Sequence, residues 1–201
     1  MSGLGIPTDS QIRALHERFA PTAEAFALVH THCEIVARIA EQLLAGREHS
    51  LDVALVRAGG LLHDIGVYRL YSPTGTLDQR NYIRHGLLGH ELLRTLGFPE
   101  VLRRFCSCHT GMGLTRDDIV RQRLPLPPGD YLAETEEERL VMYADKFHSK
   151  TTPPVFVSAD TYLSGVRRFG ADKVAAFTAL LERYGEPDLA PLAEEYTHKI
   201  I

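Results

Sequence analysis

Apolar residues along this chain recur mainly every three or four positions, the spacing that places side chains on one face of a helix. The pattern predicts helices within residues 8–19, 22–44 and 53–64. Gly46 stops the second helix, and Asp52 caps the third. The third segment is so continuously apolar that we expect it to be buried on all sides.

Punctuating residues divide the rest of the chain in the same way. A polar loop at 71–81 leads into an amphipathic helix that starts at His85. The remaining helix boundaries are marked by Gly97, Pro99, the capping boxes at Thr115 and Thr135, and Gly170. Alternating β-branched residues do not flank an Asn-Gly or Asp-Gly turn, so strand signals are weak. The sequence therefore predicts a single all-α domain.

Composition and charge narrow the class of protein. The chain has 201 residues, of which 44% are hydrophobic and 24% charged, as is typical of a soluble globular domain. A formal charge of −4 gives no reason to expect nucleic acid as a partner, but it allows a small phosphorylated substrate. No apolar run approaches the ~20 residues that span a membrane, and the N-terminus lacks a secretory-signal pattern. With only three cysteines, we expect a cytoplasmic protein without a disulfide framework.

Several histidines and aspartates occupy positions where the apolar pattern points a side chain inward. They are His32, His63, Asp64, His85, His109 and Asp145. A buried imidazole or carboxylate without a partner is costly, so each needs a hydrogen bond or a metal ion. Each one alone is more simply explained as a satisfied core residue or a surface charge. As an ordered set they suit divalent Fe, Mn, Ni or Zn, and six ligands suffice for two ions.

The order His32, His63-Asp64 and Asp145 resembles the HD superfamily of metal-dependent phosphohydrolases, and residues 63–66 read HDIG as in one of its variants. The segments HCEIVARIA, RAGGLLHDIG and YADKF resemble the first, second and closing patterns of that superfamily. RHGLLGHELLRTLGF and CSCHTGMGLT resemble the subset that adds two histidines and binds two metals. The whole pattern is most like a small HDIG-domain family of prokaryotes, over roughly residues 28–150.

The resemblance implies an HD-domain helical bundle with a metal centre. One ion would be held by His32, His63, Asp64 and Asp145, and Asp64 would bridge to a second ion held by His85 and His109. One or two divalent ions are therefore expected, with Fe or Mn favoured over Ni or Zn. Asp64 and His63 are the candidate catalytic residues.

Neighbouring residues offer alternative ligands. His30 and His32 are separated by about 200° around a helix, so both cannot face one site, and we favour His32. His85 is favoured over His90 because it begins the HGLLG segment, where the family has its ligand.

The other histidines and the cysteines are expected to lie outside the centre. Cys106-x-Cys108 next to His109 suggests a soft-metal site, but the chain has no second cysteine pair to complete tetrahedral zinc. Both cysteines are expected to pack in the core. Three histidines look like surface residues: His16, His49 and His198.

A phosphate substrate also needs cationic partners besides the metals. The expected substrate-binding residues flank the ligand segments and are Tyr68, Arg69, Arg84 and Lys146. Many dinuclear relatives have a lysine shortly after His-Asp, where this chain has Tyr68-Arg69, so the identity of the phosphate partner stays open. His148 and Lys150 either line the pocket or lie on the far face of their helix.

The resemblance implies hydrolysis of a phosphoester, in a nucleotide or another small phosphorylated metabolite, by metal-activated water. Two alternatives remain: a mixed-valence diiron oxygenase that cleaves a C–C or C–P bond with O₂, and a non-catalytic nucleotide-binding module. Residues 1–27 would form an N-terminal helical extension, 28–150 the metal-binding core, and 151–201 C-terminal helices that pack on it. The apolar helix at 173–184 leaves a homodimer open.

Overall fold

Most of the chain folds into helices that pack around two apolar cores. The computed structural model describes residues 5–201. Within that range the helices are α1 Asp9–Phe19, α2 Ala23–Leu44, α3 Val53–Leu62, α4 His85–Thr95, α5 Glu100–Cys108, α6 Arg116–Gln122, α7 Glu136–Ala144, α8 Ala159–Val166, α9 Ala171–Tyr184 and α10 Ala190–Tyr196. Short 3₁₀ segments lie at Ile65–Leu70, Gln79–Arg84, Asp145–Phe147 and Arg167–Phe169. The prediction of a single all-α domain is confirmed.

The helices begin and end at the residues that the sequence marks. Thr8, Thr115 and Thr135 each form both hydrogen bonds of a capping box. Asp52 caps α3, and Gly97 follows α4 with a φ of +81°. Each side-chain cap satisfies a backbone N–H that would otherwise lack a partner, which stabilises a helix by ~1 kcal/mol.

Three features differ from the predicted elements. The third helix ends at Leu62 rather than residue 64, because Asp64 leaves the helical conformation with φ −108° and ψ 10° and starts a 3₁₀ segment. The predicted polar loop at 71–81 overlaps the 3₁₀ segment Gln79–Arg84. The short helix α10 was not predicted.

A small sheet, also absent from the prediction, joins the C-terminus to the segment after α7. Its strands are β1 His148–Ser149, β2 Val155–Phe156 and β3 Lys199–Ile200, in the order β1-β2-β3. β1 and β2 are antiparallel, whereas β2 and β3 are parallel. Strands of two residues carry too little alternation to be recognised in a sequence. β2 lies between β1 and β3, and the side chain of His198, just before β3, lies within 3.0 Å of that of His148 in β1.

The two apolar cores share α2. One core joins α2 and α7 to the C-terminal helices, with Tyr143 and Phe177 among its buried side chains. The other lies between α1, α3 and α4, with Ile12 and Leu92 among its members. Each such buried side chain contributes ~1.5–3 kcal/mol of transfer free energy. The segment 151–201 therefore packs on the rest of the chain through a common core.

Glycines allow α3 to approach its neighbours closely. A Cβ on Gly59 would overlap the ring of Phe105, and a Cβ on Gly60 would lie 2.9 Å from the Cα of Ala37. Both contacts are shorter than side chains tolerate. This close packing holds the end of α3 between α2 and α5.

Two further observations concern the limits of the domain. Because α2 begins at Ala23, the predicted boundary between residues 27 and 28 falls inside a continuous helix. Residues 1–4 of the predicted N-terminal extension lie outside the described range. Among the described residues, helices of the length and apolarity needed to cross a membrane do not occur.

Candidate metal centre

The six predicted ligands come from five helices that converge at one place. His32 lies within α2, and His63 caps the end of α3, with Asp64 directly after it. His85 begins α4, and His109 and Asp145 cap the ends of α5 and α7. With the exception of His32, each ligand therefore sits at a helix terminus, where the chain turns and can aim a side chain into the bundle.

The first group of ligand atoms surrounds one point between α2, α3 and α7. His32, His63, Asp64 and Asp145 each place a ligand atom within 4.8 Å of the others. Nε2 of His32 lies 3.0 Å from Oδ1 of Asp145 and 3.2 Å from Oδ2 of Asp64. It also lies 3.1 Å from Nε2 of His63.

The second group shares Asp64. Nε2 of His85 and Nε2 of His109 are 2.9 Å apart, and each lies 3.4 Å from Oδ1 of Asp64. The two oxygens of Asp64 thus face different groups, Oδ2 the first and Oδ1 the second. A carboxylate with this arrangement can bridge two ions, as the resemblance implies for Asp64.

The hydrogen bonds of the imidazoles indicate which nitrogen is available. Nδ1 of His63 donates to the carbonyl of Gly60 at 2.7 Å, and Nδ1 of His109 donates to that of Phe105 at 2.9 Å. Nδ1 of His85 donates to the carbonyl of Tyr82 at 2.6 Å. A carbonyl oxygen only accepts, so these rings carry a proton on Nδ1, and in the neutral form of each ring the lone pair is on Nε2.

In their neutral forms these imidazoles therefore direct Nε2 lone pairs at the carboxylate oxygens, an arrangement that a bound cation would stabilise. Oδ1 of Asp64 is buried and makes no hydrogen bond within the described residues. A buried, unpartnered carboxylate oxygen is expensive unless it binds a cation. The donor set of imidazole nitrogens and carboxylate oxygens fits Fe, Mn, Ni or Zn. That these six residues bind a metal stays a prediction, and their arrangement fits it.

Neighbouring charges set the protonation of the centre. Burial opposes the ionised form of Asp64, but Lys150 and His63 outweigh it and hold the pKa of Asp64 well below its usual range. Burial likewise opposes the charge of His63, yet Asp64 raises the pKa of that imidazole. Burial lowers the pKa of His85 to about 4. A metal ion would thus displace a proton from a cluster that already attracts positive charge.

Two lysines reach the centre from the segment after α7. Nζ of Lys146 donates to Oδ2 of Asp145 at 2.6 Å and to the carbonyl of His109 at 2.9 Å. Nζ of Lys150 donates to Oδ2 of Asp64. Lys146 was an expected substrate-binding residue, and the structure places it at the centre.

The centre forms the floor of a cavity of about 880 Å³. Its walls carry three aromatic and three cationic side chains: Tyr82, Tyr162, Phe169, Lys146, Lys150 and Arg168. Asp64, His85, His109 and Asp145 also line it. The volume lies at the upper end of the range for small-molecule sites.

The three other expected substrate-binding residues do not line this cavity. Tyr68 is buried, and its hydroxyl group lies 2.9 Å from Nδ1 of His16, on the α1 side of the bundle. Arg69 and Arg84 are exposed. Proximity in sequence to a ligand placed these residues near the site in the prediction, but the 3₁₀ segments that carry them turn their side chains away from it.

Of each pair of neighbouring histidines, the structure places the favoured one in a group of ligand atoms. His32, not His30, belongs to the first group, since His30 stacks on Phe26 instead. His85, not His90, belongs to the second group, and Nδ1 of His90 lies 3.1 Å from the hydroxyl of Ser107.

The predicted burial is correct for both cysteines but not for all three histidines that were expected at the surface. Cys106 and Cys108 are buried in the core, as expected. His49 is exposed as predicted, but the prediction for His16 is wrong because its ring is fully buried. His198 is half-buried, and its Nδ1 lies 3.0 Å from Nε2 of His148.

Sequence reasoning left open whether His148 and Lys150 line the pocket or lie on the far face of their helix, and it did not single out Arg168. His148 is buried with its Nδ1 2.8 Å from Nδ1 of His32. Burial lowers the pKa of His148 to about 2, and its imidazole neighbours add to this effect. The only sequence signal for His148 and Lys150 is their position shortly after Asp145. Arg168 comes from a part of the chain that carries no recognised motif.

The part of the chain that carries the candidate metal centre matches a known protein family. A family model described as HD domain matches residues 29–150. This range contains all six predicted ligands. It leaves α8 to α10 and strands β2 and β3 outside.

Two curated relatives match part of the chain. The uncharacterized protein MJ0778 of Methanocaldococcus jannaschii is 41% identical over 117 residues, which are 57% of this chain and 62% of that protein. A tRNA (cytidine(56)-2'-O)-methyltransferase of Picrophilus torridus is 34% identical over 122 residues, 61% of this chain and 32% of that protein. The match therefore covers less than two thirds of the length of either relative.

A solved structure shares the fold. The HD domain of L. monocytogenes phosphodiesterase PgpH, in complex with cyclic-di-AMP, aligns with a TM-score of 0.52 and 15% sequence identity. The alignment covers 94% of this chain and 99% of that one. At this identity the likeness concerns the arrangement of the helices.

Proposed function

Because the chain belongs to the HD domain family, we propose that it is a metal-dependent phosphohydrolase that acts on a small phosphorylated substrate. One observation carries the proposal: two groups of ligand atoms share Asp64 at the floor of a cavity that Lys146 and Lys150 also line. Metal ligands and cations at one end of a cavity are what a phosphoryl group requires.

Divalent ions in such a centre supply a water nucleophile at neutral pH and stabilise the charge of a phosphoryl group. Residues of the protein hold the two ligand groups in place. Asp64 joins the two groups, and Lys146 orients Asp145 while remaining hydrogen-bonded to the carbonyl of His109. Lys150 contacts the shared carboxylate at the wall of the cavity, so its ammonium group would be available to a substrate oxygen if Asp64 bound metal.

The cavity supports a substrate larger than a phosphate group. A volume of about 880 Å³ leaves room for an organic group beyond the metal centre. Tyr82, Tyr162 and Phe169 offer aromatic surface for a ring, and Arg168 offers a cation for an anionic substituent. A nucleotide or a comparable small phosphorylated metabolite has both features.

The same ligand set would serve a diiron oxygenase or a module in which the metals are structural. Lys146, which is buried, and Lys150, which is partly buried, favour the hydrolase, since cations beside the centre suit a phosphoryl oxygen rather than O₂. The open cavity favours catalysis over a structural role, because structural metal sites are usually closed.

The direct test is hydrolysis by protein loaded with Mn²⁺ or Fe²⁺. We expect release of p-nitrophenol from p-nitrophenyl phosphate or its bis-ester, or of phosphate from a nucleotide panel. Chelation should remove the activity, and metal should restore it. Asp64→Asn should lower kcat/KM by more than about 1000-fold, since both ligand groups lose the negative charge of the carboxylate that they share.

Asp160→Asn is the matched control, because Asp160 is exposed in the first turn of α8. It should retain wild-type activity. Failure of every phosphoester to turn over with Mn²⁺, Fe²⁺, Co²⁺ or Ni²⁺ would reject the proposal. A mixed-valence paramagnetic signal from partially oxidised iron protein, together with that failure, would favour the oxygenase.

A further inference from the structure

Three imidazoles form a continuous hydrogen-bonded chain from the metal centre to the C-terminal strand. Nδ1 of His32 lies 2.8 Å from Nδ1 of His148. Nε2 of His148 lies 3.0 Å from Nδ1 of His198. His148 and His198 stack with their ring planes 22° apart. His198 directly precedes β3, in the segment outside the family match.

His32 differs from the other three histidine ligands both in its position in the helix and in the partner of its Nδ1. His63, His85 and His109 lie at helix termini, and their Nδ1 atoms use backbone carbonyls three or four residues earlier. His32 lies in the interior of α2, Ala23–Leu44. There the carbonyl of the preceding turn already accepts a helix hydrogen bond. The partner of its Nδ1 is instead a side chain from another segment, His148.

Which nitrogen of each of the three imidazoles carries the proton follows from the role of Nε2 of His32. Nε2 faces Asp64, Asp145 and His63, so it is the nitrogen that would bind metal. Nδ1 of His32 then carries the proton and donates to Nδ1 of His148. Nε2 of His148 consequently carries the proton of that ring and donates to Nδ1 of His198. With metal on Nε2 of His32, each of the three imidazoles would have one defined tautomer.

We propose that His148 is a positioning residue that holds His32 in its metal-binding tautomer and orientation, and that His198 of the C-terminal segment holds His148 in turn. This inference rests on the metal-binding part of the proposed function. It assigns a task to the segment 151–201, which the family match does not reach. Outer hydrogen-bond partners of this kind change metal affinity by ~10–100-fold.

The surroundings of His148 are built to keep its ring in place. It is 5% exposed, and its ring packs edge-on against Phe156 with centroids 5.0 Å apart. β1 pairs His148 with Phe156, and β2 pairs Phe156 with Ile200. The small sheet therefore brings His198 to the outer side of His148.

The test is a Mn²⁺ titration in which bound metal is counted by loss of the free Mn²⁺ paramagnetic resonance signal. His148→Phe retains a ring for packing but cannot accept a hydrogen bond from His32. We expect its affinity at the first ligand group to fall about 10–100-fold, while binding at the group with His85 and His109 is unchanged. His148→Gln supplies an amide oxygen as acceptor and should restore affinity to within a few-fold of wild type.

His90→Phe is the control, because His90 lies outside both ligand groups and should bind Mn²⁺ like wild type. Thermal unfolding of metal-free variants shows whether each is folded. Equal binding of two ions by wild type and His148→Phe would overturn this inference alone. Failure of Gln to rescue a folded His148→Phe would overturn it as well. Wild-type protein that binds no Mn²⁺ would overturn the proposed function and this inference with it.

Discussion

His16 is an imidazole that the fold keeps neutral. Its Nε2 donates to the carbonyl of Leu61 at 2.8 Å, and its Nδ1 accepts from the hydroxyl of Tyr68 at 2.9 Å. The ring is fully buried, and burial lowers its pKa to about 4. Because an unfolded chain would protonate this ring near pH 6.5, His16 couples stability to pH.

The sign of that coupling gives a prediction. Between pH 6.5 and 4 the unfolded state binds a proton that the folded state does not, so the unfolding free energy falls as pH falls. We expect His16 to account for a loss of up to about 3 kcal/mol across this window. His16→Gln should remove that part of the dependence, as measured by urea unfolding at pH 7, 5.5 and 4.

His49→Gln provides the comparison, since His49 is exposed. It should unfold with the same pH profile as wild type. If His16→Gln also kept the full wild-type profile, the buried neutral ring would not be the cause.

At the scale of elements, Gly66 holds the 3₁₀ segment Ile65–Leu70 against α4. A Cβ at this position would overlap the carbonyl of His85 and the backbone N of Gly89. Both atoms belong to a helix backbone, so neither can rotate away. The glycine of the HDIG sequence thus lets the segment after Asp64 lie directly on the helix that begins with His85.

Gly66→Ala should therefore separate two ligand-bearing elements. We expect a loss of about 3 kcal/mol in unfolding free energy, the upper end of the range for overpacking. Metal affinity of the group with His85 should fall with it, because Asp64 and His85 move apart. Differential scanning calorimetry and metal titration measure the two effects.

Gly165→Ala is the matched control in α8, where a Cβ would meet nothing within 4 Å. It should leave metal binding unchanged and stabilise the helix by up to about 1 kcal/mol. Wild-type stability of Gly66→Ala would show that the observed close approach is not required.

At the scale of the whole molecule, the cavity is formed by the family-matched region and the C-terminal segment together. The centre and both lysines lie within residues 29–150, whereas Tyr162, Arg168 and Phe169 come from beyond it. The guanidinium of Arg168 stacks on Phe169, 4.7 Å from its ring centroid. A buried ion pair between Lys173 and Asp118, 2.7 Å apart, anchors α9 to α6.

The position of Arg168 in the cavity wall predicts that it binds the substrate rather than taking part in catalysis. Arg168→Ala should raise KM for an anionic substrate by about 10-fold with little change in kcat, because Arg168 lies at the wall rather than at the metal centre. Steady-state kinetics on the best phosphoester from the hydrolysis screen measure both constants. The effect should weaken at high salt, since Arg168 is exposed.

The neighbouring Arg167 is also exposed but does not line the cavity, so Arg167→Ala is a closely matched control. It should retain the wild-type KM. A KM raised equally in both variants would mean that the charge of this segment, and not the position of Arg168, governs substrate binding.

Local features of the sequence were sufficient for much of the fold and for the ligand set. Helix caps at Thr8, Thr115 and Thr135 depend on hydrogen bonds within four residues, so they can be read from sequence. The six metal-ligand candidates could be chosen because inward-facing histidines and aspartates conflict with an apolar pattern, and because their order resembles a known family. The structure brings all six together.

The tertiary structure alone decided which other groups join them. Tyr68, Arg69 and Arg84 are close to ligands in sequence yet face elsewhere, because each residue of a 3₁₀ segment rotates the side-chain direction by about 120°. His148, His198 and Arg168 reach the site through strand pairing and helix packing across long stretches of sequence. Periodicity specifies the face of an element on which a residue lies, whereas the neighbours of that face depend on how the elements pack.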